Sequence, residues 1–386
     1  MFEDIRYYVG LDVHKESIAI AVAESHSREE PRFIGTTGYS VHQIHKALSS
    51  LKCTPKQLSI AYEAGPCGYG LQRELTSKGY ECIVVAPSRV PRRAADRIKT
   101  DRRDALLLAR MHRSAELVKV CVPDPADEAI RDLIRAREDA LRAQKAARQQ
   151  LQALLLRLGN PYRGGKAWTL KHLKFLADIK FEIPAHRIAF TEYRLAVQAA
   201  GDRLERLNTA IRQESESWRW LPVVKPLMSL RGVDFLTAMT IVAEIGDLKR
   251  FDHPRKLMSF LGLVPCEFSS GTSKQRGSIT RTGNSRVRKL LIESAWNYRH
   301  PAKISREIEQ RLDGLPQAVT EIAWKAQVRL CHRYRKLRYR GLHQNKTCTA
   351  IARELAGFVW SIGQNHTTPT RLIPIHDENF QNRSAR

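Results

Sequence analysis

The sequence predicts an α/β domain followed by an all-α remainder, and three observations carry that prediction. Strand-like runs crowd the N-terminal part of the 386-residue chain. From about Asp101 the apolar residues recur at helical spacing instead. The stretch CVPDPADE, with two prolines and three acids, separates the two regimes and reads as a linker. Length allows two or three domains, at roughly 150 residues each.

Taken in order, YYVGLDV and SIAIAVAE are β-rich runs separated by HKE, the pattern of an antiparallel hairpin, and FIGTTGY adds a third strand. VHQIHKALSSL has helical spacing, QLSIAYEA reads as a buried strand, CGYGLQRELTSKG as a helix ending at Gly79, and ECIVVAP as another strand. A helix then runs from about Asp101 through ALLLARMHRSAEL. The order β-β-β-α-β-α-β-α is that of an RNase H-like (RuvC-like) mixed sheet layered with helices, expected over residues 1–122. In 123–219, two long amphipathic patterns flank the polar insertion GNPYRGGKAW, which predicts a helical hairpin or coiled-coil arm; a plain bundle core is the alternative. Residues 220–363 read as an all-α domain. Its segment LPVVKPLMSLRGVDFLTAMTIVAEIGDLKRF resembles a helix-hairpin-helix with Asp234 at the second glycine position. HPRKLMSFLGLVP adds a helix, CEFSSGTSKQRGSITRTGNSR a polar loop, VRKLLIESAWNYR a helix, and AVTEIAWKAQVRLCHRYRKL a last one. Residues 364–386 are expected to be a disordered tail.

Charge narrows the function. Lys and Arg number 65 against 40 Asp and Glu, a net +25 that far exceeds what solubility requires and calls for a polyanion, nucleic acid first. No stretch approaches the 18 or so apolar residues of a membrane span, so no membrane partner is expected. MFEDIRYYVG lacks the pattern of a secretion signal, and a cytoplasmic location follows as an expectation, in a bacterium or archaeon and associated with the nucleoid. The seven cysteines are odd in number and never spaced as C-x-x-C, and the histidines form no H-x-x-x-H pair; neither a disulfide framework nor a zinc site is expected.

Cutting a phosphodiester calls for two divalent ions about 4 Å apart, held by a cluster of carboxylates. Asp12 ends the first strand in GLDVH and Glu63 ends the central strand in AYEAG, both at the rim of the sheet. Asp101 and Asp104, at i and i+3, share one face of the following helix. Each has an ordinary alternative. Asp12 could be a turn residue, Glu63 a strand-end acid, and Asp101 with Asp104 a version of the capping box. Together they predict a site for Mg2+ or Mn2+, with no nucleotide cofactor.

YVGLDVHKESIAIAV, AYEAGPCGYGLQREL with VVAPSRVP, and KTDRRDALLLARM resemble the catalytic domain of the DEDD transposases. These are insertion-sequence recombinases related to Piv-type DNA invertases and described as bridge-RNA-guided. The likeness continues through SLRGVDFLTAMTIVAEIGD, FLGLVP, SSGTSKQRGSITRTGN and IAWKAQVRL. It implies a C-terminal transposase domain whose serine attacks DNA and becomes linked to a phosphate. Ser270, just before Gly271, matches best; Ser269 is next, and Ser273 and Ser278 share the loop. Donor and target DNA, a structured guide (bridge) RNA and a homo-oligomer, dimer or tetramer, are the partners implied. The basic runs offer Arg97, Lys99, Arg102 and Arg103 before and within the acid-bearing helix, and Lys274, Arg276, Arg281 and Arg286 around the serine. HRYRKLRYRG mixes Tyr334 and Tyr339 with cations, as stacking on unpaired bases requires. A junction-resolving nuclease without a serine adduct and a non-catalytic nucleic-acid-binding protein are the alternatives. An ATPase is disfavoured, because Val13 and His14 stand where a phosphate-binding hairpin has small residues.

Overall fold

A computed structural model describes residues 4–87, 100–270 and 273–365. The chain divides into two units, Met1–Pro123 and Asp124–Arg386. In the first unit, among the described residues, one sheet is built from β1 (Tyr7–Val13), β2 (Ser17–Glu24), β3 (Arg32–Gly38), β4 (Leu58–Glu63) and β5 (Glu81–Val85), in the order β3-β2-β1-β4-β5. β1 is central, antiparallel to β2 and parallel to β4. Helices α1 (Val41–Leu48), α2 (Gly70–Ser77) and α3 (Asp101–Arg113) complete the predicted element order.

The alternation in SIAIAVA sorts the sheet into two unlike faces. Ile18, Ile20 and Val22 join Val9, Leu11, Ile60, Tyr62 and Val84 in a core with Ile44 and Leu48 of α1 and Leu71 and Leu75 of α2. Ala19, Ala21 and Ala23 point the other way and meet Ala105 and Ala109 of α3. This second face is lined with small residues so that α3 can lie close. At Gly10 the approach is closest, since a Cβ there would come within 2.3 Å of the Ala105 carbonyl oxygen and 2.4 Å of the Ala109 nitrogen. The C-terminal end of α3 is fixed too. Arg113 donates to the carbonyls of Ser27 and Glu29, both at 2.9 Å, while buried His112 shares a 2.8 Å hydrogen bond with Ser59 of β4.

The second unit opens with α4 (Pro125–Arg157), and here the linker reading needs correction. CVPDPADE is only half connection: Pro125 is the first residue of the helix, where its missing N–H costs nothing, and Asp127 and Glu128 lie in the first turn, favoured by the helix dipole. Asp127 is buried and accepts from the indoles of Trp218 (2.9 Å) and Trp220 (3.1 Å) and from Arg219. Burial works against its charge, but these donors outweigh it and hold the carboxyl below its usual range.

α6 (Pro184–Glu216) returns along α4 antiparallel: Arg137 donates to Asn208 at 2.6 Å, and Gln144 lies against Gly201. Each helix has 33 residues, about 50 Å of rise. Between them, just after the polar insertion GNPYRGGKAW, lies a short helix the sequence reading did not name, α5 (Leu170–Asp178), whose Leu176 is buried with Leu151, Leu154, Leu155 and Phe190, with Trp168 packed alongside. The base of this arm shares one core with the rest of the unit, since Ile130, Ile134 and Ile211 belong to it.

That core is completed by α7 (Leu221–Leu227), α8 (Phe235–Ile245), α9 (Pro254–Phe260), α10 (Ser285–Ala295), α12 (Gln317–Tyr339) and α13 (Gln344–Gln364), while α11 (Arg306–Leu312) buries no residue. Asp234 caps α8 by accepting from the Thr237 N–H at 2.8 Å, while Gly232 turns the chain at φ +81°. Three readings change here. The C-terminal domain is not all-α, because the expected polar loop forms an antiparallel ribbon of β6 (Pro265–Ser270) and β7 (Ser273–Ile279). A ribbon with polar residues on both sides carries no hydrophobic alternation, so its period is invisible in sequence. The last predicted helix is followed by another, α13, whose Ile351, Leu355, Val359 and Ile362 form a buried stripe. Tyr334 is a core residue, 6 % exposed, and unavailable for stacking. Residues 366–386, most of the expected tail, lie outside the described residues.

Candidate active site

Period-two alternation places the acids. Asp12 has the same parity as Gly10 and points to the α3 side; Glu63 has the parity of Ala61, which also packs on that side against Leu108. The parallel register runs to Leu11↔Tyr62, so the next step sets Asp12 beside Glu63 at the ends of two adjacent strands. α3 brings the other pair. Its buried stripe of Ala105, Leu108, Ala109 and His112 continues, one turn earlier, into Asp101 and Asp104. The capping alternative for Asp101 does not hold, because Thr100 is the N-cap and accepts from the Arg103 N–H at 3.3 Å.

Two of the four acids, Asp12 and Asp101, meet around His14, which the sequence reading did not count as a ligand, while Glu63 and Asp104 stand outside this group. His14 Nε2 lies 3.3 Å from Asp12 Oδ2 and 3.4 Å from Asp101 Oδ1. Among the described residues these three form the group able to offer one ligand atom each to a common ion, all within 4.8 Å of one another. A signal existed: Asp12 and His14 are two apart in an extended chain, hence on one face. Asp12 is the least exposed member, its side chain 18 % exposed against 56 % for Asp101. Burial raises its carboxyl pKa, His14 opposes the rise, and the charges of Asp104 and Asp101 add to it. Asp104 is thus close enough to act on Asp12 through its field, and Glu63 adjoins by register. Carboxylates gathered at a half-buried rim, repelling one another, suit a divalent cation. The donor set fits one.

The basic residues divide. Arg102 places its guanidinium 5.3 Å from the ring centre of Phe33 on β3, and Arg103 follows it in the first turn of α3. Arg97 and Lys99 lie outside the described residues. Ser270 is the last residue of β6 and pairs with Ser273, Ser269 pairs with Lys274, and Arg276 lies on β7. The ribbon is fixed at its base: the Thr280 N–H donates to Val264 O at 2.9 Å, and Arg281, at φ +56°, donates to Gly262 O. Arg288 joins both strands of this base by donating to Leu261 O and Thr282 O, each at 2.8 Å. Arg286 is ion-paired with Glu138 of α4. Beside it, buried Glu244 accepts two bonds from Arg135, at 2.8 and 3.0 Å, and one from Asn284 at 2.8 Å. Burial opposes its charge, yet Arg135 and Asn284 hold its carboxyl below the ordinary range. No single-sequence signal marks Glu244. It reads as one apolar-helix position among many.

On α12, Tyr339 is 94 % exposed, and Trp324 and Val328 also face solvent. No helix among the described residues is long and apolar enough to cross a membrane.

Comparison with known proteins is specific. A family model for DEDD transposases of the IS110 type matches residues 9–159, and one described as transposase IS116/IS110/IS902 family matches residues 224–308. The first covers all four acids and the second the ribbon. A putative transposase, y4qE, of Sinorhizobium fredii is 46 % identical over 92 % of this chain and 88 % of its own length. The transposase for insertion sequence element IS1533 of Leptospira borgpetersenii is 36 % identical over 86 % of this chain and 96 % of its own. The transposase for IS1111A of Coxiella burnetii is 24 % identical over 68 % and 66 %.

Proposed function

This chain belongs to the IS110 family of DEDD insertion-sequence transposases, and from that premise we propose that Asp12, Glu63, Asp101 and Asp104 form its metal-dependent cleavage site and Ser270 its nucleophile. The observation that carries this reading is the approach of Asp12 and Asp101 around His14 at the rim of the central strand. Asp12, Glu63, Asp101 and Asp104 would hold a divalent ion, Mg2+ or Mn2+, which would supply Lewis-acid polarisation of a phosphate oxygen.

The chain's own groups do the rest. Asp12 and Glu63 are fixed by the sheet and Asp101 and Asp104 by α3, so the carboxylates are oriented before DNA arrives. Ser270 Oγ loses its proton and bonds to phosphorus as the bond to a 3′ oxygen breaks and that oxygen leaves as a hydroxyl. A free 3′ hydroxyl then attacks the phosphoserine, forming the new phosphodiester and returning the serine. Each step makes one P–O bond and breaks one, so no ATP is consumed. Basic residues 97, 99, 102, 103, 274, 276, 281 and 286 hold DNA phosphates or a structured guide RNA, in keeping with the +25 charge. The RNase H-like reading of the first unit, an oligomer and a cytoplasmic location belong to the same proposal.

Cleavage assays separate this from its rivals. Ser270→Ala should form no covalent protein–DNA adduct; an undiminished adduct overturns the serine assignment, and cleavage with no adduct in the native chain favours the junction-resolving nuclease. Asp104→Asn should abolish cleavage and leave binding largely intact. Full activity in that variant removes Asp104 from the site, and absence of metal-dependent cleavage in the native chain favours a binding protein. Sequencing the RNA that copurifies with the protein tests guidance.

A further inference from the structure

We propose that His14 is a nitrogen ligand to the ion held by Asp12 and Asp101, and that it tunes the site toward Mn2+ over Mg2+. The proposal rests on the metal reading above and adds a ligand that the four-acid motif does not contain. Its basis is spacing. A charge-assisted N–H···O bond to a carboxylate is about 2.7–2.9 Å long. His14 Nε2 stands at 3.3 and 3.4 Å from two carboxylate oxygens, equidistant between them and long for either as a hydrogen bond.

Those separations are what adjacent ligands of one ion show. Neighbouring ligands on an octahedron lie √2 bond lengths apart, about 3.0 Å for the 2.0–2.1 Å bonds of Mg2+. Mg2+ and Ca2+ are hard ions that take oxygen ligands, so an imidazole beside the two carboxylates favours neither. Mn2+, a first-row transition ion, accepts an imidazole nitrogen more readily than Mg2+ does. The backbone is also set for the role: the His14 backbone N–H donates to Ser17 O at 2.9 Å, closing the β1–β2 turn and keeping His14 in register with Asp12. At 49 % exposure the imidazole is open to an arriving ion.

The test is pulsed electron paramagnetic resonance of the full chain loaded with Mn2+ alone, with Mn2+ and Mg2+ affinities measured by titration. The native protein should show modulation from a directly bonded nitrogen-14, and His14→Gln should lose it. That variant should bind Mn2+ about tenfold more weakly while its Mg2+ affinity changes less than about twofold. Mn2+ bound without nitrogen modulation, modulation that survives in His14→Gln, or equal losses for both ions would each overturn the proposal and leave the acid site standing. Asp12→Asn distinguishes the deeper failure: if Mn2+ binding is unchanged there, the acid cluster itself is wrong, and the role of His14 falls with it.

Discussion

His112 makes the stability of the first unit depend on pH in a direction that can be worked out. Burial, helped by the nearby charge of Lys119, lowers its pKa from 6.5 to about 4. The unfolded chain therefore takes up a proton near pH 6.5 that the folded chain refuses until about pH 4. The stability tied to this group is complete above pH 6.5, drains as pH falls toward 4, and is level below; the loss is about 3 kcal/mol. Urea midpoints at pH 7 and pH 5 should differ accordingly, and His112→Gln should flatten the difference. At this scale the positions of the acids on their elements were legible, because strand ends and an i, i+3 pair are visible in the letters. His14 was legible in principle by parity. Glu244 and Asp127 were not, since their partners come from elements far along the chain and only the packed fold brings those donors to them.

Between α3 and β1 the contact at Gly10 sets the gap between the helix-borne and strand-borne carboxylates. Gly10→Ala should cost about 1–3 kcal/mol by overpacking, and because α3 must move away, cleavage should fall by about a hundredfold while DNA binding persists. Thermal melts and a cleavage assay on the same preparation check both. On α12 two tyrosines five residues apart carry opposite predictions. Tyr334→Ala should lower stability by several kcal/mol, about 3 or more for a truncated buried aromatic, whereas Tyr339→Ala should leave stability unchanged and weaken nucleic-acid binding. Sequence did not separate them, because both sit in the same basic run and only the phase of the helix buries one. The ribbon and α13 were missed for related reasons: one has no hydrophobic alternation, and the other follows a helix that already seemed to end the domain.

Across the whole molecule the two units should answer acid differently. Below pH 6.5 the first unit loses the His112 contribution, while buried His172 in the arm adds a shift of the same sign to the second, its pKa lowered by burial. The second unit's main ionic contacts, at Asp127 and Glu244, keep their charge until pH falls below the ordinary carboxylate range, since both pKa values are depressed. Near pH 5, amide exchange read by mass spectrometry should show Met1–Pro123 opening before Asp124–Arg386. Binding to nucleic acid should weaken steeply with salt if the +25 charge acts on phosphates, and a flat titration would contradict that. The bare backbone at Gly10 has a last consequence, for heredity. Every missense change of a glycine codon installs a Cβ, so any such mutation wedges α3 from the sheet, and a copy of the element can be silenced at a codon that encodes none of its reactive groups.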